Sequence, residues 1–513
     1  MQRRSFLQLA PGAAAFAASS SPTTALSLNE DNSHYFFTRA GQKLDAESVA
    51  GFVDQYAGTQ VRELLFSPNA MRTSYPSEVW DPIWRGYDPN GPDDQPLFAS
   101  TPAASRQVGR RWVHTAWQLA QMKIDPYQLW IARARRHRIS PWLSMRMNDI
   151  HNVDDERSYM HGQFWRDHPE MRRVPWRAAS WQDRALDYGH AAVRAYHLKL
   201  VRELAARYDF DGLELDWMRF PYHFAPGRER EGGELLLDFM RQARSIVDAA
   251  GARRGRRLKL GVRVPSRPQT AAAMGLDGVR WAQLGLVDMV VVTPFVASIE
   301  TDMPIELWRR LLPPAVVLAA GFELNIRPYH TYQPQQRNSL ETVRGAAAAM
   351  LSRGADRVYL FNYMDSQTAM ESIDEYRVVL RECGTLATLQ GKPRRHIVTY
   401  SDTWAPGEAL GSVLPKSAKA GEWLTFRVPT GPGWSAAEVR LAFEGPTPGE
   451  LRVNGGEPCT YAGQLANSGR RPWPVQETHG WKVSAPGGVR GEAVIDVRAG
   501  SGELKVHWVE VAV

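Results

Sequence analysis

Residues 209–221 read DFDGLELDWMRFP, and the parity of this run decides the fold. Side chains on a strand alternate between faces, so Gly212, Glu214 and Asp216 share one face and Leu213, Leu215 and Trp217 the other. A strand otherwise suited to burial therefore aims two acids the same way. Burying an ionised carboxylate costs several kcal/mol unless it is paired or hydrogen-bonded, so adjacent acids at a strand end indicate either a working site or a structural ion pair.

Outward from this run, short β-rich segments alternate with amphipathic helical ones. The expected strands are 34–39 (HYFFTR), 61–67, 139–147, 210–217, 258–264, 286–295, 315–323 and 357–363. Helical spacing predicts helices near 45–56 with Asp45 as cap, 112–137, 188–208, 233–250 and 338–354, the last opened by Asn338 with Glu341, and a short one holding Leu307 and Trp308. Apolar strands separated by helices match a closed (β/α)8 TIM barrel over 29–384. An open doubly wound sheet fits less well, since no glycine-rich dinucleotide fingerprint follows the first strand. Beyond Cys383, GTLATLQGKPRRH reads as a linker, and alternating runs punctuated by Gly and Pro predict a small antiparallel β-sandwich over 385–513.

In such barrels the reacting groups sit at the C-terminal ends of the strands. Those positions hold Ser67, Pro68 and Asn69; Arg146, Asn148 and Asp149; Glu214, Asp216 and Arg219; Arg263 and Arg267; Thr293; Glu323 and Asn325; and Asn362, Tyr363 and Asp365. Glycosidic cleavage requires two carboxyl groups, one to protonate the leaving oxygen and one to act as nucleophile or base. Asp216 is the expected nucleophile or base. Glu323, which closes an otherwise apolar strand, is the first choice as proton donor and Asp365 the second. Glu214, one pleat deeper, is expected to tune Asp216 or to bond Arg146 or Arg263. Together with Glu214 and Asp365, the expected substrate-binding residues are Asn69, Arg146, Asn148, Arg219, Arg263, Asn362 and Tyr363.

Sugars pack on aromatic rings, and of the 18 Trp residues Trp80, Trp84, Trp165, Trp176 and Trp181 lie in the insertions after strands two and three. Five rim arginines, Arg146, Arg219, Arg263, Arg267 and Arg327, suit carboxylates or sulfates and so predict an acidic glycan. His151, His161 and His168 lack a metal-ligand spacing, and neither a metal nor another cofactor is expected.

A chain of 513 residues with 43% hydrophobic content calls for two domains. Its 62 basic and 55 acidic residues leave a net charge of +7, a mild bias towards anionic partners. The basic residues are dispersed and carry no nucleic-acid motif, and no run suits a membrane span. Cys383 and Cys459 fall in different expected domains, so no disulfide is expected. The first 28 residues place Arg3 and Arg4 ahead of Phe6, Leu7 and a small-residue stretch with cleavage options near Ala18 and Ala25. They read as a twin-arginine export signal, which predicts a periplasmic or secreted protein.

FDGLELDWMRFP resembles the fourth-strand motif of the bacterial glycosyl-hydrolase-like family ten barrels through Asp211, Gly212, Asp216, Arg219 and Pro221, and DHPEMR at 167–172 fits the same group. This resemblance covers the barrel and implies a glycoside hydrolase centred on Asp216, with a carbohydrate partner but no particular sugar. The stretch is also similar to the family 18 chitinase motif, but Met218 stands where that motif has its acid Glu. The departure removes the proton donor of a substrate-assisted mechanism and favours two acids. Two other classes are a glycan-binding barrel without catalysis and a polysaccharide lyase with Tyr363 as base.

Overall fold

The computed structural model describes residues 24–177, 179–330, 336–366, 370, 372–409, 411–465, 477–483 and 491–513. The export signal expected over residues 1–28 thus lies largely outside the described residues. The barrel strands are β1 Ala25–Glu30, β2 Val61–Phe66, β3 Ser140–Arg146, β4 Gly212–Asp216, β5 Lys259–Pro265, β6 Met289–Thr293 and β7 Val317–Phe322. A short hairpin of β8 Asn325–Ile326 and β9 Gln336–Arg337 follows, and β10 Arg357–Phe361 is the eighth barrel strand. They close in the order β1-β10-β7-β6-β5-β4-β3-β2.

Leu213 and Leu215 face the helical shell, and the inward positions of β4 are the glycine and the two acids. Gly212 is required because a Cβ there would lie 2.3 Å from the Trp142 ring, which fills the barrel floor with Leu65, Met289, Ala319 and Tyr359. Below them Glu63 accepts from Arg357 Nε at 2.8 Å and from Ser27 Oγ at 2.9 Å, a buried pair at the end remote from the mouth.

Sequence reasoning misplaced the first strand. Residues expected as strand 34–39 form the helix His34–Thr38, whose Tyr35 and Phe36 pack on Trp130. The true strand, ALSLNE, begins inside the stretch expected as the end of an export signal. The helix expected over 112–137 is two, Ala103–Gln121 and Pro126–Arg136, because Asp125 caps a new start with Pro126 at its first position. Asp45 caps its helix as expected, accepting from the Ser48 amide. Ser339, not Asn338, caps the helix Leu340–Ser352.

The C-terminal part comprises β11 Arg395–Ile397, β12 Lys416–Ala418, β13 Trp423–Pro429, β14 Ala437–Glu444, β15 Glu450–Val453, β16 Thr460–Gln464, β17 Thr478–Val483, β18 Glu492–Arg498 and β19 Leu504–Ala512. One sheet runs β11-β19-β14-β17-β16 with β12 also on β19, and the other runs β13-β18-β15. Val439, Leu441, Val509 and Val511 of the first share a core with Leu424, Phe426, Ile495 and Val497 of the second. The stretch expected as a linker is ordered: it contains the helix Leu386–Leu389 and β11. Cys383 and Cys459 are both free. Among the described residues no helix is long and apolar enough to cross a membrane.

Candidate active site

Strand register sets the site. Arg146 on β3 pairs with Asp216 on β4, and Asp216 with Arg263 on β5, so a carboxylate stands between two guanidiniums on neighbouring strands. Asp216 is fully buried. Its Oδ2 accepts from Arg263 Nη1 at 2.8 Å, and its Oδ1 accepts from the backbone amides of Met218 and Arg219, each at 3.0 Å. The turn after β4 therefore folds back over the last side chain of its own strand.

Glu323 follows β7 and is also buried, with Oε1 3.6 Å from Arg263 Nη2. One guanidinium bridges the two carboxyls and keeps them within the roughly 9 Å that a two-acid glycosidic mechanism spans. Burial lifts Glu323 well above the ordinary carboxyl range, against the opposing pull of Arg263 and Arg219. Glu214 lies a pleat below and accepts from Ser144 Oγ at 2.6 Å and Tyr359 Oη at 2.8 Å, rather than from the expected arginines. Burial first, and the Asp216 charge second, raise it to about 7.

Arg146 binds Asp31 and, at 3.0 Å, Asp149. Asp149 accepts the His151 Nδ1 proton at 2.7 Å, which leaves Nε2 to accept from Arg219 Nη2 at 2.5 Å. The Arg219 guanidinium lies over the rings of Phe220 and Phe361. Asp31 was missed because its strand was missed: with β1 in place, Ser27, Asn29 and Asp31 alternate inward as Glu214 and Asp216 do. Two further acids had no local signal. Asp402, between β11 and β12, accepts from the amides of Phe295, Val296 and Ala297 at 2.7, 2.8 and 2.7 Å. Glu300, in the loop after β6, accepts from Ser266 and from Arg267 Nη2 at 2.9 Å, and burial raises it to about 7 against both of those partners.

Other expected residues take different places. Asn69 donates to the carbonyls of Ala70 and Arg146, and Asn148 exchanges hydrogen bonds with the Leu186 backbone, so both brace loops. Tyr363 donates to the Glu323 carbonyl at 2.9 Å, and burial raises its phenol, an arrangement unsuited to the base of a lyase. Asn362 stands at φ 60° with its buried Oδ1 unpartnered among the described residues. Asp365 is drawn away to Arg39 and to His34 Nε2 at 3.1 Å, while Glu30 takes His34 Nδ1 at 3.1 Å. Of the tryptophans, Trp80 stacks on Tyr196 at 4.5 Å and Trp165 lies under Arg172 at 3.8 Å, both as packing. Trp84 leans on the core, Trp176 is exposed, and Trp181 stands at the mouth beside Phe220. Among the described residues no cluster of His, Cys, Asp or Glu gathers as metal ligands do.

No family model and no curated protein matches the chain. Among solved structures it is similar to alpha-L-fucosidase isoenzyme 2 from Paenibacillus thiaminolyticus, at 10% identity and a TM-score of 0.41, covering 70% of this chain and 48% of that one. This chain thus spans about half the length of that enzyme. It is also similar to a maltogenic alpha-amylase from Thermotoga neapolitana, at 13% identity and a TM-score of 0.36 over 94% and 98% of the two chains. A third is an alpha-L-fucosidase from Bacteroides thetaiotaomicron, at 11% identity and a TM-score of 0.35 over 91% and 83%. These likenesses are distant, and the barrel stands on its own strand order.

Proposed function

We propose that this chain is an exported glycoside hydrolase whose carboxyl pair is Asp216 and Glu323. The observation that carries the reading is the Arg263 bridge between two buried acids, of which burial pushes Glu323 well above the ordinary carboxyl range. A carboxyl that burial favours in its protonated form, set near a second acid held by N–H donors, suits a division of acid and base roles. Glu323 donates a proton to the glycosidic oxygen. Asp216, fixed by three N–H donors, attacks the anomeric carbon or activates water. Glu323 Oε1 and Arg263 Nη2 have no hydrogen-bond partner among the described residues, and they supply the polar contacts a sugar would complete. The family-ten motif around Asp216 supports the same assignment, and Arg3 and Arg4 support export.

The test is turnover on a glycan that the wild type cleaves. D216N and E323Q are each expected to lose roughly 10²- to 10⁴-fold in kcat with unchanged circular dichroism. Full turnover by a folded D216N overturns the assignment. For export, R3K together with R4K is expected to leave the protein in the cytoplasm of the host, as read by fractionation.

A further inference from the structure

Charge and shape at the mouth point to the class of glycan bound, an inference that rests on the carboxyl-pair reading above. Arg146 binds both Asp31 and Asp149, Arg263 binds Asp216, and Arg219, whose guanidinium meets the His151 ring, lies in the field of Asp31 and Asp149, so three acids balance three arginines around the pair. Further out, Arg267 is taken by Glu300 and Arg39 by Asp365. A uronate or sulfate needs a cation that is not already neutralised, because burying a second anion against a matched pair leaves one charge without a partner. Of the five arginines that suggested an acidic ligand, Arg146, Arg263 and Arg267 are thus bonded to the chain's own acids, and Arg219 lies in the field of two of them.

What faces the opening instead is an aromatic wall assembled from three loops. Phe220 and Tyr222 follow β4, Trp181 belongs to the insertion after β3, and Phe295 follows β6. The Trp181 ring centroid lies 5.5 Å from Phe220, 5.7 Å from Tyr222 and 5.9 Å from Phe295, and Phe220 lies 5.4 Å from Phe295. All four rings are only half-buried. Phe220 stands at φ 64°, a left-handed conformation that a bulky side chain rarely adopts and that clusters at functional sites. Its neighbour Arg219 is tied through its amide to Asp216, so the strained residue presents its ring one step from the carboxylate.

We propose that the mouth binds a neutral glycan, stacking a sugar ring on the wall of Phe220, Trp181 and Phe295 while hydroxyl groups meet Arg263, Glu323 and Asn362. A pyranose face is a patch of C–H groups that packs on such rings, and its hydroxyls match unpartnered donors and acceptors.

The experiment uses full-length D216N, so that binding is read without turnover, with a soluble β-glucan, a mannan and an arabinoxylan as neutral probes and polygalacturonate and dextran sulfate as anionic ones. Affinity electrophoresis is expected to show binding to at least one neutral polysaccharide. F220A and W181A are each expected to weaken it roughly tenfold. F220L, which keeps bulk without the ring, guards against collapse of the turn and is expected to lose affinity likewise. Three results overturn the proposal: no binding to any neutral probe, tighter salt-sensitive binding to an anionic probe, or affinity unchanged in both F220L and W181A. Wild-type turnover separates the two readings. Wall-dependent binding with no hydrolysis by the wild type keeps the neutral-glycan site and refutes the hydrolase, whereas hydrolysis unaffected by F220L and W181A refutes the wall alone.

Discussion

Buried ionisable groups in this chain shift in directions that make distinct predictions with pH. Activity requires Glu323 to carry its proton, and its raised pKa moves the alkaline fall of turnover well above the ordinary carboxyl range. A pH–kcat profile that already declines from pH 5 contradicts that role. Glu300 gives a stability prediction of definite sign. Its folded carboxyl titrates near 7 against an ordinary 4.5, so the folded state binds the extra proton, and the stability this contributes is present below about 4.5 and is lost as pH rises through 7. Relative to E300Q, which cannot ionise, the wild type is expected to lose on the order of 3 kcal/mol between pH 4.5 and 8. Denaturant melts at both pH values check this, and parallel behaviour of the two proteins refutes it. His34 is bracketed by Glu30 and Asp365, which overcome its burial and raise it to about 9. Its stabilisation is full below 6.5 and is lost as pH rises through 9, so H34Q is expected to destabilise most at pH 6 and much less at pH 10.

Strand β4 shows how far the sequence could be read. Its alternation placed Glu214 and Asp216 on the inner face, and the register with β3 and β5 then aligned Arg146 and Arg263 beside Asp216. That inner face tolerates only glycine at its base: in G212A the new methyl enters the Trp142 ring, and a loss of about 3 kcal/mol is expected, partly recovered in G212A combined with W142F. Thermal melts of the two variants beside the wild type decide it, and an unaltered G212A refutes the packing argument. Seven strands were legible because apolar runs between helices have few other uses in a chain of this composition. The first was hidden because ALSLNE follows a small-residue segment that imitates an export signal, and because HYFFT has strand-forming aromatics that packing on Trp130 turns into a helix. Asp31 disappeared with that strand. Asn338 looked like a cap, yet its amide donates to the Glu323 carbonyl at 2.7 Å, a tertiary contact that no local pattern encodes. Glu323 was legible as a carboxyl closing an apolar strand, whereas the pairing of Arg146 and Arg267 was not, since their partners Asp31, Asp149 and Glu300 come from loops.

At the scale of the whole molecule, the barrel and the sandwich meet through close backbone approach as well as through side chains such as Tyr329, whose hydroxyl lies 3.2 Å from His507 Nδ1, and Thr270, which donates to Glu408 at 2.8 Å. Helix Leu340–Ser352 is buried on nearly every side because it lies between the two parts. A Cβ on Gly345 would lie 2.0 Å from the Arg395 carbonyl of β11, and one on Gly431 would lie 2.8 Å from the Ala348 carbonyl. From β11 the chain runs on to Asp402, whose carboxylate gathers three amides of the loop after β6, the loop that carries Phe295 to the mouth. The sandwich is thereby coupled to the substrate wall along one short stretch of chain. In G345A the methyl is expected to push β11 off the helix, lowering the melting temperature by several degrees and weakening glycan binding by loosening the Asp402 anchor. D402N, which halves the acceptor capacity facing those amides, is expected to weaken binding while leaving the melting temperature closer to the wild type. If both act through the same loop, their effects on binding in the double variant fall short of additive by an interaction energy of about 0.5 kcal/mol or more. Additive effects on the dissociation constant, measured in the D216N background, show instead that the sandwich braces the barrel without reaching its mouth.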